Sequence, residues 1–158
     1  MEGIELDQFM RRAVELAVEN VQDGGDPFGA VLVKDGTIIA EGVNELHKKY
    51  DISGHAELIA IRKAQQELQT HDLSGYTMYA SGEPCPMCLT SMYFSGITDA
   101  YYCISVDEAN EVGLGISKLV YDNLRKPTQE RDLVLKHIPL EENQKNPMKM
   151  WVEYNENR

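Results

Sequence analysis

Lys34-Asp35-Gly36 separates two short β-branched runs in "FGAVLVKDGTIIAEGVN" (28–44). An Asp-Gly step between such runs supplies the backbone of a tight turn, so the stretch predicts a β-hairpin. Ahead of it, Leu6, Phe9, Met10, Ala13, Val14, Ala17 and Val21 fall at helical spacing with charges opposite. That helix should end near "QDGGDP", where Gly24, Gly25 and Pro27 break it. Beyond the hairpin the pattern alternates: a helix over 53–68, a strand over 76–81, a helix through "PMCLTSMYFSG" and a strand in "AYYCISV". A helix after Asp107, another around "SKLVYDNL", a strand at "LVLKHIPL" and a final helix in "NPMKMWVEY" complete it. Helix, hairpin, then alternating helices and strands predict an α/β fold, a three-layer α/β/α sandwich with a mixed central sheet. No repeat, low-complexity tract or long linker divides the 158 residues, which read as a single domain, 1–158.

No segment approaches an uninterrupted membrane helix, which argues against a membrane partner. The N-terminal "MEGIELDQFMRRAVELA" is acidic and amphipathic, unlike a secretory signal, and the expectation is a cytoplasmic protein. The formal net charge is −11, and basic residues are scattered apart from short clusters such as "HKK" at 47–49. Proteins that track phosphate backbones gather Lys and Arg, so a nucleic-acid partner is disfavoured. Three cysteines are too few for a secreted disulfide framework. Cys103, in the apolar run "DAYYCISV", reads as a buried small hydrophobe. Cys85 and Cys88 are the pair that needs explaining.

Pro86 suits the first position of a helix, where its missing N–H costs nothing. It also pushes Cys85 out of helical geometry into a cap-like position. Cys88 then falls in the first turn, so both sulfurs lie at the positive end of a helix dipole, which favours thiolate. His55, in "SGHAELIA", opens another helix, with Ser53 available as its cap. Glu57 follows two residues later, and in mid-helix the two side chains would point roughly 200° apart. They can share a site only off the helix end, where the first turn splays both forward. His55, Cys85 and Cys88 would give zinc three protein ligands, leaving a place for water. Glu57 would be a proton carrier and not a fourth ligand. A redox pair would want a thioredoxin-like surrounding, and structural zinc a fourth Cys or His at suitable spacing; the chain offers neither. His47, His71 and His137 lack helix-start context.

The whole pattern is His55-Ala56-Glu57, then Pro84-Cys85-Pro86-Met87-Cys88. H-x-E followed by P-C-x-x-C is the signature of the zinc nucleobase deaminases. The chain resembles the cytidine-deaminase-like superfamily, within it the bacterial guanine deaminase and nucleoside deaminase branch. "DPFGAVLVKDGTIIAEGVN", "HAELIAIRKA", "GEPCPMC" and "KPTQER" carry the resemblance over most of the chain. It implies hydrolytic deamination of a nucleobase or nucleoside, Zn2+ on His55, Cys85 and Cys88, and Glu57 as general acid–base. It also implies that Glu83 belongs to the catalytic centre. Asn44 matches a residue that hydrogen-bonds the base, Phe28 an aromatic near the purine, and Phe94 a stacking aromatic; Ala56 would offer its backbone. From the residues alone, Asn44 reads equally as a turn former after Gly42, Phe28 and Phe94 as core, and Glu83 as an exposed loop charge.

Guanine is the first substrate the resemblance implies, with one departure. Guanine deaminases of this branch carry an acidic pair after a Gly-aromatic step, one acid of which is associated with the guanine edge. Here the stretch is Gly113-Leu114-Gly115-Ile116, without an acid; Asp107, Glu108 and Glu111 are the nearby substitutes. In the same relatives the C-terminal segment crosses to the partner subunit, so residues 141–158, with the chain's only Trp at 151, suggest a domain-swapped homodimer. The rival readings are a tRNA adenosine deaminase, a deaminase of cytosine or another aminated heterocycle, and a catalytically silent zinc-stabilised interaction domain. The acidic balance argues against the first, and the presence of Glu57 against the last.

Overall fold

The structure, a computed structural model, describes residues 3–156. The chain divides into two compact units, Met1–Arg125 and Lys126–Arg158.

The first unit is built on one four-stranded sheet of order β2-β1-β3-β4. Its strands are β1 (Gly29–Lys34), β2 (Thr37–Val43), β3 (Thr77–Gly82) and β4 (Asp99–Ile104). β1 pairs antiparallel with both β2 and β3, and β3 runs parallel to β4, so the sheet is mixed. The hairpin turn is the expected one: Asp35 and Gly36 both have positive φ, 49° and 74°, which matches the twist of the strands it joins.

Helix α1 (Gly3–Gln22) covers one face of the sheet. Phe9 and Leu16 meet Val31, Val33 and Tyr79 there, while the side chain of Leu6 lies outside the described residues. Val21, at the end of the helix, is half exposed. The other face is covered by α2 (Ala56–Leu68) and α3 (Pro86–Ser95). Ala56, Ala60, Ile61, Ala64 and Met92 pack there on Ala30, Leu32 and Met78. Alternation along β1 and β3 thus feeds two cores, giving the three layers expected. Two glycines let the helices approach. A Cβ at Gly29 would stand 2.4 Å from the carbonyl of Ala13, and one at Gly42 2.2 Å from that of Ala56. Short helices α4 (Val106–Glu111) and α5 (Ile116–Leu124) follow β4.

The strand ends position the site. β1 begins where β2 ends, with Gly29 opposite Val43, so Phe28 and Asn44 lie side by side. The Asn44 N–H donates to the Phe28 carbonyl at 3.2 Å. β3 ends at the same edge and leads through Glu83, Pro84 and Cys85 into α3. Clefts beyond strand ends are where α/β sheets usually bind ligands.

Three expectations fail. Ser53 does not cap α2: His55 holds the N-cap position, and the Ser53 hydroxyl donates to Asp51 and accepts from Arg62 instead. Cys103 is exposed, because β4 is an edge strand whose residues are uncovered in the single chain. "LVLKHIPL" (133–140) forms no strand; a strand needs a ladder partner, and among the described residues the second unit offers none. Among its described residues that unit has a 3-10 turn at Thr128–Glu130, an irregular stretch and α6 (Pro147–Glu156). Leu133, Val134, Leu135, Ile138, Trp151 and Tyr154 are all exposed in it.

Candidate metal centre and substrate cavity

Cys85 is the N-cap of α3, extended at φ −66° and ψ 165°, with Pro86 in the first turn behind it. Its sulfur accepts the Cys88 N–H at 3.4 Å, so the cap itself turns both thiols toward one point. His55 occupies the N-cap of α2 without capping it, which leaves the ring free to face the thiols. His55 Nδ1 stands 3.4 Å from Cys85 Sγ and 3.6 Å from Cys88 Sγ. All three ligand atoms lie within 4.8 Å of one another. Tetrahedral zinc with ordinary Zn–S and Zn–N bonds would separate sulfur from nitrogen by about 3.6 Å. Two thiols and an imidazole at these spacings fit zinc, and among the described residues they are the only such group.

The protonation pattern agrees. Hydrogen bonding from Cys88 is the main force pulling the Cys85 thiol down, to about 4, with His55 adding to it. Sharing its proton with Cys85, and then burial, push Cys88 up. His55 is raised, first by its bond to Cys85 and also by the charges of Glu57 and Asp26. A bound metal would take both sulfurs as thiolates and displace their protons. Glu57, 6% exposed in the first turn of α2, is not in the ligand group. Burial pushes its carboxyl up to about 7, so it can both hold and release a proton near neutral pH.

A cavity of about 130 Å³ opens beside these groups. His55, Glu57 and Cys85 form one side, and Phe28 and Asn44 another. Leu46, Ile52, Leu114 and Ile116 supply apolar wall, and Asp26 and Ser117 add polar atoms. The Asn44 carboxamide is oriented: its oxygen accepts the Leu46 N–H at 3.0 Å. The NH2 group is therefore the part left to bond a ligand.

The remaining expected residues divide. Glu83 lines the cavity, and one carboxylate oxygen accepts the Val106 N–H at 3.1 Å, tying the start of α4 to the loop before Cys85. The Tyr121 hydroxyl secures the same loop, donating to the Pro84 carbonyl at 2.5 Å. Ala56 is fully buried between His55 and Glu57 and does not itself line the cavity. Phe94 is not brought to it: at the far end of α3 the side chain is 88% exposed. Nine residues beyond Cys85, it stands about 13 Å along the helix at the usual rise per residue. Of the acids near Gly113, Asp107 pairs with Lys118, Glu108 forms a capping box with Ser105, and Glu111 is not on this cavity. Sequence patterns gave no signal for Asp26, or for Asn20, whose side chain ties two of the cavity's loops together.

Comparisons with known proteins agree with this geometry. A family profile described as "Cytidine and deoxycytidylate deaminase zinc-binding region" matches residues 4–104. Guanine deaminase of Bacillus subtilis (strain 168) is 42% identical over 144 residues, 90% of this chain and 91% of that protein. A crystal structure of guanine deaminase from Bacillus subtilis superposes with a TM-score of 0.86 at 39% identity, covering 97% of this chain and 95% of that one. A tRNA-specific adenosine deaminase of Aquifex aeolicus is 31% identical over 134 residues, 85% of each chain. NE0047, solved in complex with 2,6-diaminopurine, superposes with a TM-score of 0.66 at 30% identity, covering 68% of this chain and 61% of that one. Three side chains spaced to hold zinc at two helix starts, with a buried carboxyl beside them, thus occur in a chain that belongs to the cytidine and deoxycytidylate deaminase zinc-binding family.

Proposed function

We propose that the protein is a zinc-dependent hydrolytic deaminase of a purine base, with guanine, converted to xanthine and ammonia, as the first substrate to test. The observation that carries this reading is Glu57, buried beside the metal ligands, facing the cavity and not part of the ligand group. A purely structural zinc site has no use for such a group, which argues against a silent interaction domain.

Zinc held by His55, Cys85 and Cys88 supplies Lewis-acid activation of water near neutral pH. Glu57 accepts a proton from the attacking water and delivers it to the ring nitrogen, then takes the proton of the added hydroxyl and delivers it to the departing amine as the carbonyl forms. Water adds across the amidine-like carbon, the C–N bond breaks, and ammonia leaves. The raised pKa of Glu57 suits it to both halves of that transfer. Asn44 presents its NH2 to an acceptor on the base, such as a purine ring nitrogen or carbonyl oxygen. Phe28 supports the ring face. Glu83 acts from the loop before Cys85.

The same reading makes residues 141–158 an exchanged segment of a homodimer working in cytoplasmic purine metabolism. Support comes from the apolar side chains that the second unit leaves exposed and from the uncovered edge strand β4 with Tyr101, Tyr102 and Ile104. Among the described residues, no helix is long and apolar enough to cross a membrane.

A tRNA adenosine deaminase is the second reading, favoured by the likeness to the Aquifex aeolicus enzyme and opposed by the net charge of −11. Ammonia release from guanine, 2,6-diaminopurine, adenine, cytosine, guanosine and a tRNA anticodon stem-loop separates them. Turnover of guanine alone or best supports the proposal. Turnover confined to the stem-loop, or to cytosine, replaces it.

A further inference from the structure

The cavity holds three carboxylates, Asp26, Glu57 and Glu83. Glu57 is the proton carrier, and Glu83 is engaged by the Val106 N–H. Asp26 has no task in the mechanism above. Among the described residues its carboxylate has no hydrogen-bond or ionic partner, although its charge is felt at His55. Its backbone, by contrast, is held firmly. The Asp26 carbonyl accepts from Asn20 Nδ2 at 2.8 Å and from the Phe28 N–H at 2.8 Å. Pro27 follows, which restricts the Asp26 backbone further.

The same Asn20 Nδ2 donates to the Asn44 carbonyl at 2.9 Å. One buried amide thus fixes the loops bearing Asp26 and Asn44 against each other. The two side chains present complementary chemistry at the cavity: Asn44 offers an N–H donor, and Asp26 offers only acceptors. The wall at 113–116, by contrast, contributes the apolar Leu114 and Ile116.

We propose that Asp26 is a specificity-determining residue that accepts a hydrogen bond from the imidazole-ring N–H of a free purine base, while Asn44 donates to a neighbouring acceptor on the same base. This rests on the purine deaminase reading. The imidazole ring of a free purine carries one bare nitrogen and one N–H. A nucleoside or an N9-alkylated base has lost that donor, and a site built around a charged acceptor rejects an analogue that cannot satisfy it. Asp26 therefore makes the enzyme one for free bases over nucleosides, and supplies an acidic acceptor from the start of β1.

The test compares guanine with 9-methylguanine on the full-length zinc-loaded protein, wild type and Asp26→Asn. Asparagine keeps the shape and removes the charge. The expected result is a loss in kcat/KM for guanine of about 10- to 100-fold, mainly in KM, as for a lost charge-assisted hydrogen bond. Turnover of 9-methylguanine stays near its wild-type level, so the preference between the two collapses. Zinc content and thermal unfolding report whether the variant is intact, and Asp26→Ala reads the same ratio should Asp26→Asn fold poorly. A wild type active on guanine whose preference survives in both variants overturns the role of Asp26 alone. A wild type inactive on every purine overturns both this role and the reading beneath it.

Discussion

The side-chain amide of Asn20 donates to the backbone carbonyl of Asn44, 24 residues away, from a position only 4% exposed. Asn44 belongs to the cavity, and the same nitrogen bonds the carbonyl of Asp26. The end of α1 therefore sets the distance between two cavity-lining loops without itself lining the cavity.

Asn20→Ala should leave both carbonyls short of a donor and open a small void. The expected cost is about 1–3 kcal/mol, the usual range for buried polar groups that lose a partner. KM should rise more than kcat falls, since Glu57 and the metal ligands are not touched. Chemical denaturation and steady-state kinetics check both, and an unchanged KM would deny Asn20 its positioning role.

Gly42 lies under the first turn of α2, where a Cβ would stand 2.2 Å from the Ala56 carbonyl and 2.8 Å from the Ala60 nitrogen. Both are backbone atoms and cannot turn aside. Gly42→Ala should push α2 outward, moving His55 and Glu57 with it. Expected are a destabilisation of about 1–3 kcal/mol from overpacking and a lower zinc content on purification. A variant with full zinc and wild-type stability would show that the helix has slack there.

Arg12 grips Glu41 with two bonds, Nε to Oε2 at 2.6 Å and Nη2 to Oε1 at 3.0 Å, joining α1 to β2. Hydrogen bonding to Arg12 holds the Glu41 carboxyl below its ordinary 4.5. Stability from this pair is present above pH 4.5 and is lost as pH falls through the lowered value, where Glu41 protonates. The pair is partly exposed and screened, so Glu41→Gln should cost about 0.5–1 kcal/mol at pH 7. The difference between variant and wild type should shrink in acid and in high salt. Urea titrations at several pH values check it; a difference independent of pH would assign the effect to packing.

Deleting residues from Pro147 onward removes α6, including Trp151 and Tyr154. If the segment is exchanged between subunits, the truncated protein should be monomeric by light scattering and lose most of its turnover. A monomer with full activity would rule out the exchange.

The chemistry at the two helix starts was legible because each signal is local. Pro86 dictates where α3 begins, and that decides where Cys85 and Cys88 point; the Asp35-Gly36 turn is equally self-contained. Misread features depend on tertiary context. Ser53 looks like a cap, but His55 takes that position and Ser53 turns to Asp51 and Arg62. Cys103 reads as buried and the run 133–140 as a strand on hydrophobicity, yet one lies on an uncovered edge and the other has no ladder partner among the described residues of its unit. Asp26 was invisible for another reason: an acid before a proline reads as a turn residue. Only the convergence of three strand ends reveals that it faces a cavity.

If Glu57 moves the proton at a metal held by His55, Cys85 and Cys88, removing its carboxylate should stop turnover and spare the metal. The direct measurement is zinc content together with ammonia release from guanine, for wild type, Glu57→Gln and Cys88→Ala. Wild type should carry stoichiometric zinc and release ammonia from guanine. Glu57→Gln should keep its zinc with turnover down by at least about 100-fold, as for loss of a general acid–base. Cys88→Ala should lose the metal itself. Substantial turnover in Glu57→Gln, or full zinc in Cys88→Ala, would contradict this assignment.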